Sequence, residues 1–262
     1  MPTDPPRRIV CLTEEPTEIL YALGEGERVV GISAWTVRPP IAREEKPIVS
    51  AFTGGNVKRI VSLEPDLVIG FSDIQADLAS KLIAANLQVL IFNQRTIAEI
   101  LDVIRMIGRL VGRSAEAETL IAGYEARLDT IRARTAERGT RPRVYFEEWM
   151  DPMISGIRWV SELIEIAGGE DVFADRAAGK LAKERFVQPE EVIAAAPDVI
   201  VGSWCGKPVD KDAIRAREGW GDIPAIRHDA IHEIESELIL QPGPACLTDG
   251  LDALVSILDG HA

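Results

Sequence analysis

Acidic and aromatic side chains recur where apolar runs stop. RRIVCL (7–12) reads as a buried strand, and Glu14 and Glu15 follow it in the loop TEEPTE (13–18). Trp35 follows a strand at 28–33, Phe52 stands beside Gly54-Gly55, and Phe71 closes DLVIGF (66–71). Later in the chain, Trp149 lies in EEWMDPMISGIRW (147–159), a loop after a strand at 143–147, and Trp204-Cys205 close a strand in DVIVGSWCGKP (198–208). The carboxyl ends of strands are where open α/β sheets bind ligands. Aromatic faces with a few polar groups suit a large, partly apolar small molecule held between two lobes. Solvated loop carboxylates are the plain alternative for Glu14 and Glu15. Trp159 reads equally as a core residue of a helix over 157–167, and Trp220 reads as structural.

Catalytic patterns are missing. His228 and His232 are four apart, but in a segment that reads as turn and strand, with no Cys or carboxylate at zinc-like spacing. No G-x-S-x-G elbow occurs. Gly54-Gly55 precedes a helix from Asn56 without the spacing of a nucleotide loop. Cys11, Cys205 and Cys246 are odd in number and far apart, which is no disulfide framework. Cys205 has no sequence-adjacent base. A non-catalytic binding role, with no cofactor and no metal ligands, is the expectation.

The elements that must position these residues come in two similar sets. Residues 113–140 read as one exposed helix with an apolar stripe of Leu120, Ile121, Tyr124, Leu128 and Ile131, capped by Ser114 and stopped near Gly139. Before it, RIVSLEPDLVIGF (59–71) has a helix, a Pro-Asp and an apolar strand. After it, EEVIAAAPDVIVGSW (190–204) repeats that order. The expected architecture is α/β: two Rossmann-like lobes, 1–112 and 141–262, joined by the connecting helix 113–140.

At 262 residues the chain can form one large or two modest domains. A formal net charge of −13 argues against nucleic acid and anionic membranes as partners and is compatible with a basic docking partner. No window reaches the roughly 18–20 apolar residues of a membrane span. MPTDPPRR lacks the apolar region of a secretory signal. The expected location is therefore periplasmic if a signal was removed, and cytoplasmic for the sequence as it stands.

RIVCLTEEPTEILYALG, NVKRIVSLEPDLVIGF, the connecting helix, AGGEDVF and the terminal QPGP helix together resemble the class III periplasmic-type binding proteins of ABC importers for vitamin B12 and ferric siderophores. The vitamin B12-binding branch is the most similar. A cobalamin-binding subgroup shares the E-W-x-D-P of Glu148–Pro152, the G-x-x-W of Gly156–Trp159 and Cys205-Gly206. The resemblance implies a monomer that holds a corrinoid or other metal chelate in a cleft between the lobes. The cleft would be lined by Glu14, Glu15, Trp35, Phe52 and Phe71 from the first lobe, and by Trp149, Trp204, Cys205, Glu237 and Gln241 from the second. Phe52 and Phe71 stand where tryptophans are usual, Leu238 where an aromatic is found, and Ala245 where an arginine is common. Each lobe of the family presents a glutamate to the importer's membrane subunits; Glu190 matches one position, and Lys58 stands at the other. Two further readings stay open. One is a ferric siderophore or haem carrier using Arg38 and Arg158. The other is an enzyme or cytosolic metal-handling protein using Cys205, Cys11 and the loop glutamates.

Overall fold

The computed structural model describes residues 4–261. The chain packs as two compact units. One takes the residues up to Gln94, Ala98–Gly123 and Pro242–Pro244; the other takes Arg95–Ile97, Tyr124–Gln241 and the residues from Ala245 on.

The first unit alternates strand and helix: β1 (Ile9–Cys11), α1 (Glu14–Ala22), β2 (Val29–Ser33), α2 (Pro40–Glu45), β3 (Ile48–Ser50), α3 (Val57–Ser62), β4 (Leu67–Phe71), α4 (Ala76–Ala84) and β5 (Val89–Phe92). The five strands are all parallel, in the order β3-β2-β1-β4-β5. The central strands β1 and β4 are buried along their whole length, which explains their unbroken apolar runs. Val10, Leu12, Val49, Ile60, Val68, Leu78 and Leu82 form one core cluster.

Two helices follow, α5 (Ile97–Val111) and α6 (Ser114–Ala136). Ile121 and Leu128 are buried on α6, Tyr124 and Ile131 half-buried, so the expected stripe is the packed face. The helix is shorter than 113–140, and Ser114 is its first residue rather than its cap. Past Ala136 the chain turns to cap a neighbour. Thr135 Oγ1 donates to Ile166 O (2.8 Å) and Arg138 Nη1 to Ala167 O (2.6 Å), at the carbonyl end of the next helix.

The second unit runs β6 (Arg143–Met150), β7 (Met153–Ser155), α7 (Arg158–Ile166), β8 (Glu170–Asp171), α8 (Pro189–Ala195), β9 (Val199–Gly202), α9 (Lys211–Arg215), α10 (Pro224–Arg227), β10 (Ile231–Glu233) and α11 (Ser236–Ile239). It closes with a π turn at Cys246–Gly250 that leads into α12 (Leu251–Asp259). Strands β10, β9 and β6 are parallel neighbours. The other edge of β6 takes β8 in parallel at its start and β7 antiparallel at its end.

The duplicated Pro-Asp has the same structure in both units. Each helix, α3 and α8, ends at a left-handed residue before the proline, Glu64 (φ 48°) and Ala196 (φ 45°). Each aspartate carboxylate then receives the backbone N–H that opens the adjoining strand. Asp66 accepts from Arg7 N (2.7 Å) and Arg8 N (3.0 Å), and Asp198 accepts from Arg143 N (2.9 Å). The ends of α1 and α7 match as well. Gly24 (φ 75°) and Gly168 (φ 87°) supply the left-handed turn, and the next N–H reaches back to Leu20 O or Ile164 O.

The segment 147–159 differs from expectation. It is a hairpin rather than a loop: β6 continues through Trp149 to Met150, turns at Asp151-Pro152, and returns as β7. Arg185, only 3% exposed, fixes it. Its guanidinium grips both oxygens of Glu148 and donates to Ser155 O on β7. The strand expected to close at Trp204-Cys205 is shorter: β9 ends at Gly202 and leaves both residues beyond it.

Candidate functional site

In the first unit the residues singled out from sequence follow the carboxyl ends of parallel strands: Glu14 and Glu15 after β1, Trp35 after β2, Phe52 after β3, and Phe71 at the end of β4. A buried side chain that the sequence did not mark gathers three of these ends. Gln75 Nε2 donates to Leu12 O (3.3 Å) and Phe52 O (3.1 Å), while its Oε1 accepts from Phe71 N (3.0 Å). Gly70 lies so close that a Cβ there would stand 2.4 Å from Gln75 Oε1. Ser50 Oγ also donates to Leu12 O (3.1 Å).

Glu14 and Glu15 are not solvated loop residues. They form the first turn of α1, at 6% and 1% exposure. Thr13 Oγ1 donates to Glu15 Oε1 (2.9 Å). Burial, reinforced by the neighbouring Glu14 charge, pushes the Glu15 carboxyl up to about 8. Gly243 packs against it, where a Cβ would meet Glu15 Cβ at 2.6 Å, and Gln94 Nε2 holds the same segment through Pro242 O (3.0 Å). Trp35 is open at 41% exposure, Phe52 is half-buried and Phe71 is buried. Arg38 is engaged, its Nε donating to Glu18 Oε1 at 2.8 Å. Cys11 is fully buried, and burial pushes its thiol up to about 12.

In the second unit the arrangement is built on Glu147, which is wholly buried. Its carboxylate accepts from Tyr145 Oη (3.0 Å), Trp204 Nε1 (3.1 Å) and both Arg217 Nη atoms (2.5 and 2.9 Å). Every donor offsets the cost of taking that charge out of water. The network seats Trp204 edge-inward at 3% exposure. Lys207 Nζ lies 4.7 Å from the centre of the half-buried Trp149 ring and 5.3 Å from that of Trp204, with Met150 Sδ at 3.4 Å. This is a cation seated on two aromatic faces. Trp149 Nε1 donates to Asp151 O (3.0 Å) and Cys205 is exposed.

The remaining expected site residues are more dispersed. Arg158 is exposed in the first turn of α7 and pairs with Glu162 (3.0 Å). Glu237 is half-buried on α11 and accepts from Ser236 Oγ (3.2 Å), and Gln241 is buried just beyond. Trp159 is a core residue whose Nε1 donates to Ile239 O (2.9 Å), and Trp220 is fully buried. Gln75, Glu147 and Lys207 join the candidate site in the structure and were not singled out from sequence. Lys207 alone had a signal, a basic side chain two residues past the Trp-Cys that the sequence singled out.

Two α/β units with aromatic and carboxylic side chains grouped at the carboxyl ends of their strands define a protein that binds a small molecule. The family model described as periplasmic binding protein matches residues 9–238, and the chain belongs to that family. It is 28% identical over 260 residues to an uncharacterized ABC transporter substrate-binding lipoprotein, YvrC, of Bacillus subtilis, covering 95% of this chain and 79% of that one. It is 27% identical to a vitamin B12-binding protein of Vibrio parahaemolyticus, with 94% and 88% covered. Among solved structures, the periplasmic haem-binding protein RhuT of Roseiflexus sp. RS-1 in its apo form superposes with a TM-score of 0.79 at 28% identity, covering 96% and 98% of the two chains.

Proposed function

We propose that this substrate-binding protein serves an ABC import system and carries a corrinoid of the vitamin B12 type. The observation that carries the reading is the set of aromatic rings at or just past strand ends, above all the open Trp35 after β2 and the half-buried Trp149 near the end of β6. A corrin ring presents broad apolar faces that such rings can cover. The similarity to vitamin B12-binding proteins supports it.

Haem is the second reading, and Lys207 favours it. A cation lying on two tryptophans is placed to meet an anionic substituent of a flat macrocycle. The ferric siderophore reading loses support, since Arg38 and Arg158, its expected basic groups, are engaged by Glu18 and Glu162.

Tryptophan fluorescence titration separates these readings. Saturable quenching at micromolar or lower concentration by cyanocobalamin and cobinamide, and not by haem or a ferric siderophore, is expected after inner-filter correction. Trp35→Leu and Trp149→Leu should each weaken it at least tenfold. Quenching by haem alone would replace the corrinoid with the second reading, and no response to any of the four would sink both. Docking to the membrane subunits is proposed to rest on Glu190, exposed in the first turn of α8, with Lys58, exposed on α3, opposing it. Glu190→Lys should then reduce capture of those subunits in detergent, and Lys58→Glu should increase it.

A further inference from the structure

His232 and His261 meet at the edge of the second sheet. His232 lies on β10, the edge strand, and is half-buried; His261 follows α12 and is exposed. Their Nε2 atoms face each other at 2.9 Å, with ring centres 5.1 Å apart and planes at 70°. His228, although four residues from His232 in sequence, takes no part in this contact.

Two imidazole nitrogens bound at about 2.0–2.1 Å and at right angles on one metal ion stand about 2.9 Å apart. From this geometry we infer that His232 and His261 form a two-imidazole chelate for a divalent first-row transition metal. No group of three or more His, Cys, Asp or Glu residues able to hold a metal occurs among the described residues, so these two imidazoles are the protein ligands proposed. Imidazoles at right angles suit the tetragonal geometry of Ni2+ and Cu2+; tetrahedral Zn2+ would set the two nitrogens about 3.3 Å apart. The bound ion would fasten the segment after α12 to the edge strand β10.

The test uses Ni2+, which thiols do not reduce, on the full chain without an affinity tag and with Cys205→Ser to remove the exposed thiol. Titration calorimetry at pH 7.5 should give one equivalent bound, with the affinity falling at least tenfold at pH 5.5 as the imidazoles protonate. His261→Ala and His232→Gln should each lower the affinity at least tenfold and abolish the rise in Tm caused by Ni2+. His228→Ala should change neither. Since His261 is exposed, its variant tests the site without risk to the core. Unchanged affinity in His261→Ala, or loss in His228→Ala, would overturn the assignment.

Discussion

Glu15 shows what burial does to a single group. Its carboxyl, ordinarily near 4.5, stands at about 8 in the folded chain, mainly through desolvation. The folded state therefore keeps a proton that the unfolded chain releases near 4.5. By linkage, stability falls as pH climbs from about 4.5 to 8, and the loss levels off above. Glu15→Gln removes that slope. The variant should match the wild type in chemical denaturation at pH 4.5 and exceed it at pH 8.5 by on the order of 2–4 kcal/mol. Equal stability at both pH values would show that the carboxyl ionises freely. The sequence marked Glu15 by its place after a strand, but it could not show burial, which depends on Gly243 arriving from the far end of the chain. Gln75 was silent for the same reason: its three partners are strand-end backbone atoms, which carry no signature in residue type.

At the scale of elements, the hairpin of β6 and β7 was the largest departure from the sequence reading. Two glutamates, two bulky side chains and an Asp-Pro look like a loop. They form a hairpin because the glutamates have arginine partners far along the chain. Glu148 meets Arg185, 37 residues on, and Glu147 meets Arg217, 70 residues on. Removing one partner of such a pair leaves a poorly solvated charge. Arg185→Met should thus cost about 3–5 kcal/mol in urea denaturation and alter Trp149 emission. Arg185→Met with Glu148→Leu should recover most of that loss, because the uncompensated charge is gone. A double variant as unstable as the single one would assign the loss to packing and the Ser155 contact instead. By contrast, the end of β4 at Phe71 and the apolar face of α6 were legible, because local periodicity alone decides them.

At the scale of the molecule, the repeated helix, Pro-Asp and strand was the most informative pattern in the sequence. It recurs in the structure down to the left-handed residue before each proline. What could not be read was the asymmetry, namely that the second unit inserts β7 beside β6 where the first has no counterpart. If the two joints are equivalent parts, their aspartates should behave alike. Asp66→Ala and Asp198→Ala should each destabilise the protein by about 1–2 kcal/mol in urea denaturation, the expected loss for exposed backbone-to-carboxylate hydrogen bonds. A loss from only one of the two would mean that the shared geometry is not shared energetics.

Of the three cysteines only Cys205 is exposed; Cys11 and Cys246 are buried. A maleimide dye added to the native, folded protein should therefore couple at one position, directly after Trp204 and two residues before the lysine that rests on Trp149 and Trp204. The protein is thus suited to become its own optical sensor. A single labelling reaction would allow a library of candidate solutes to be screened by dye emission, with no assumption about which one the chain carries.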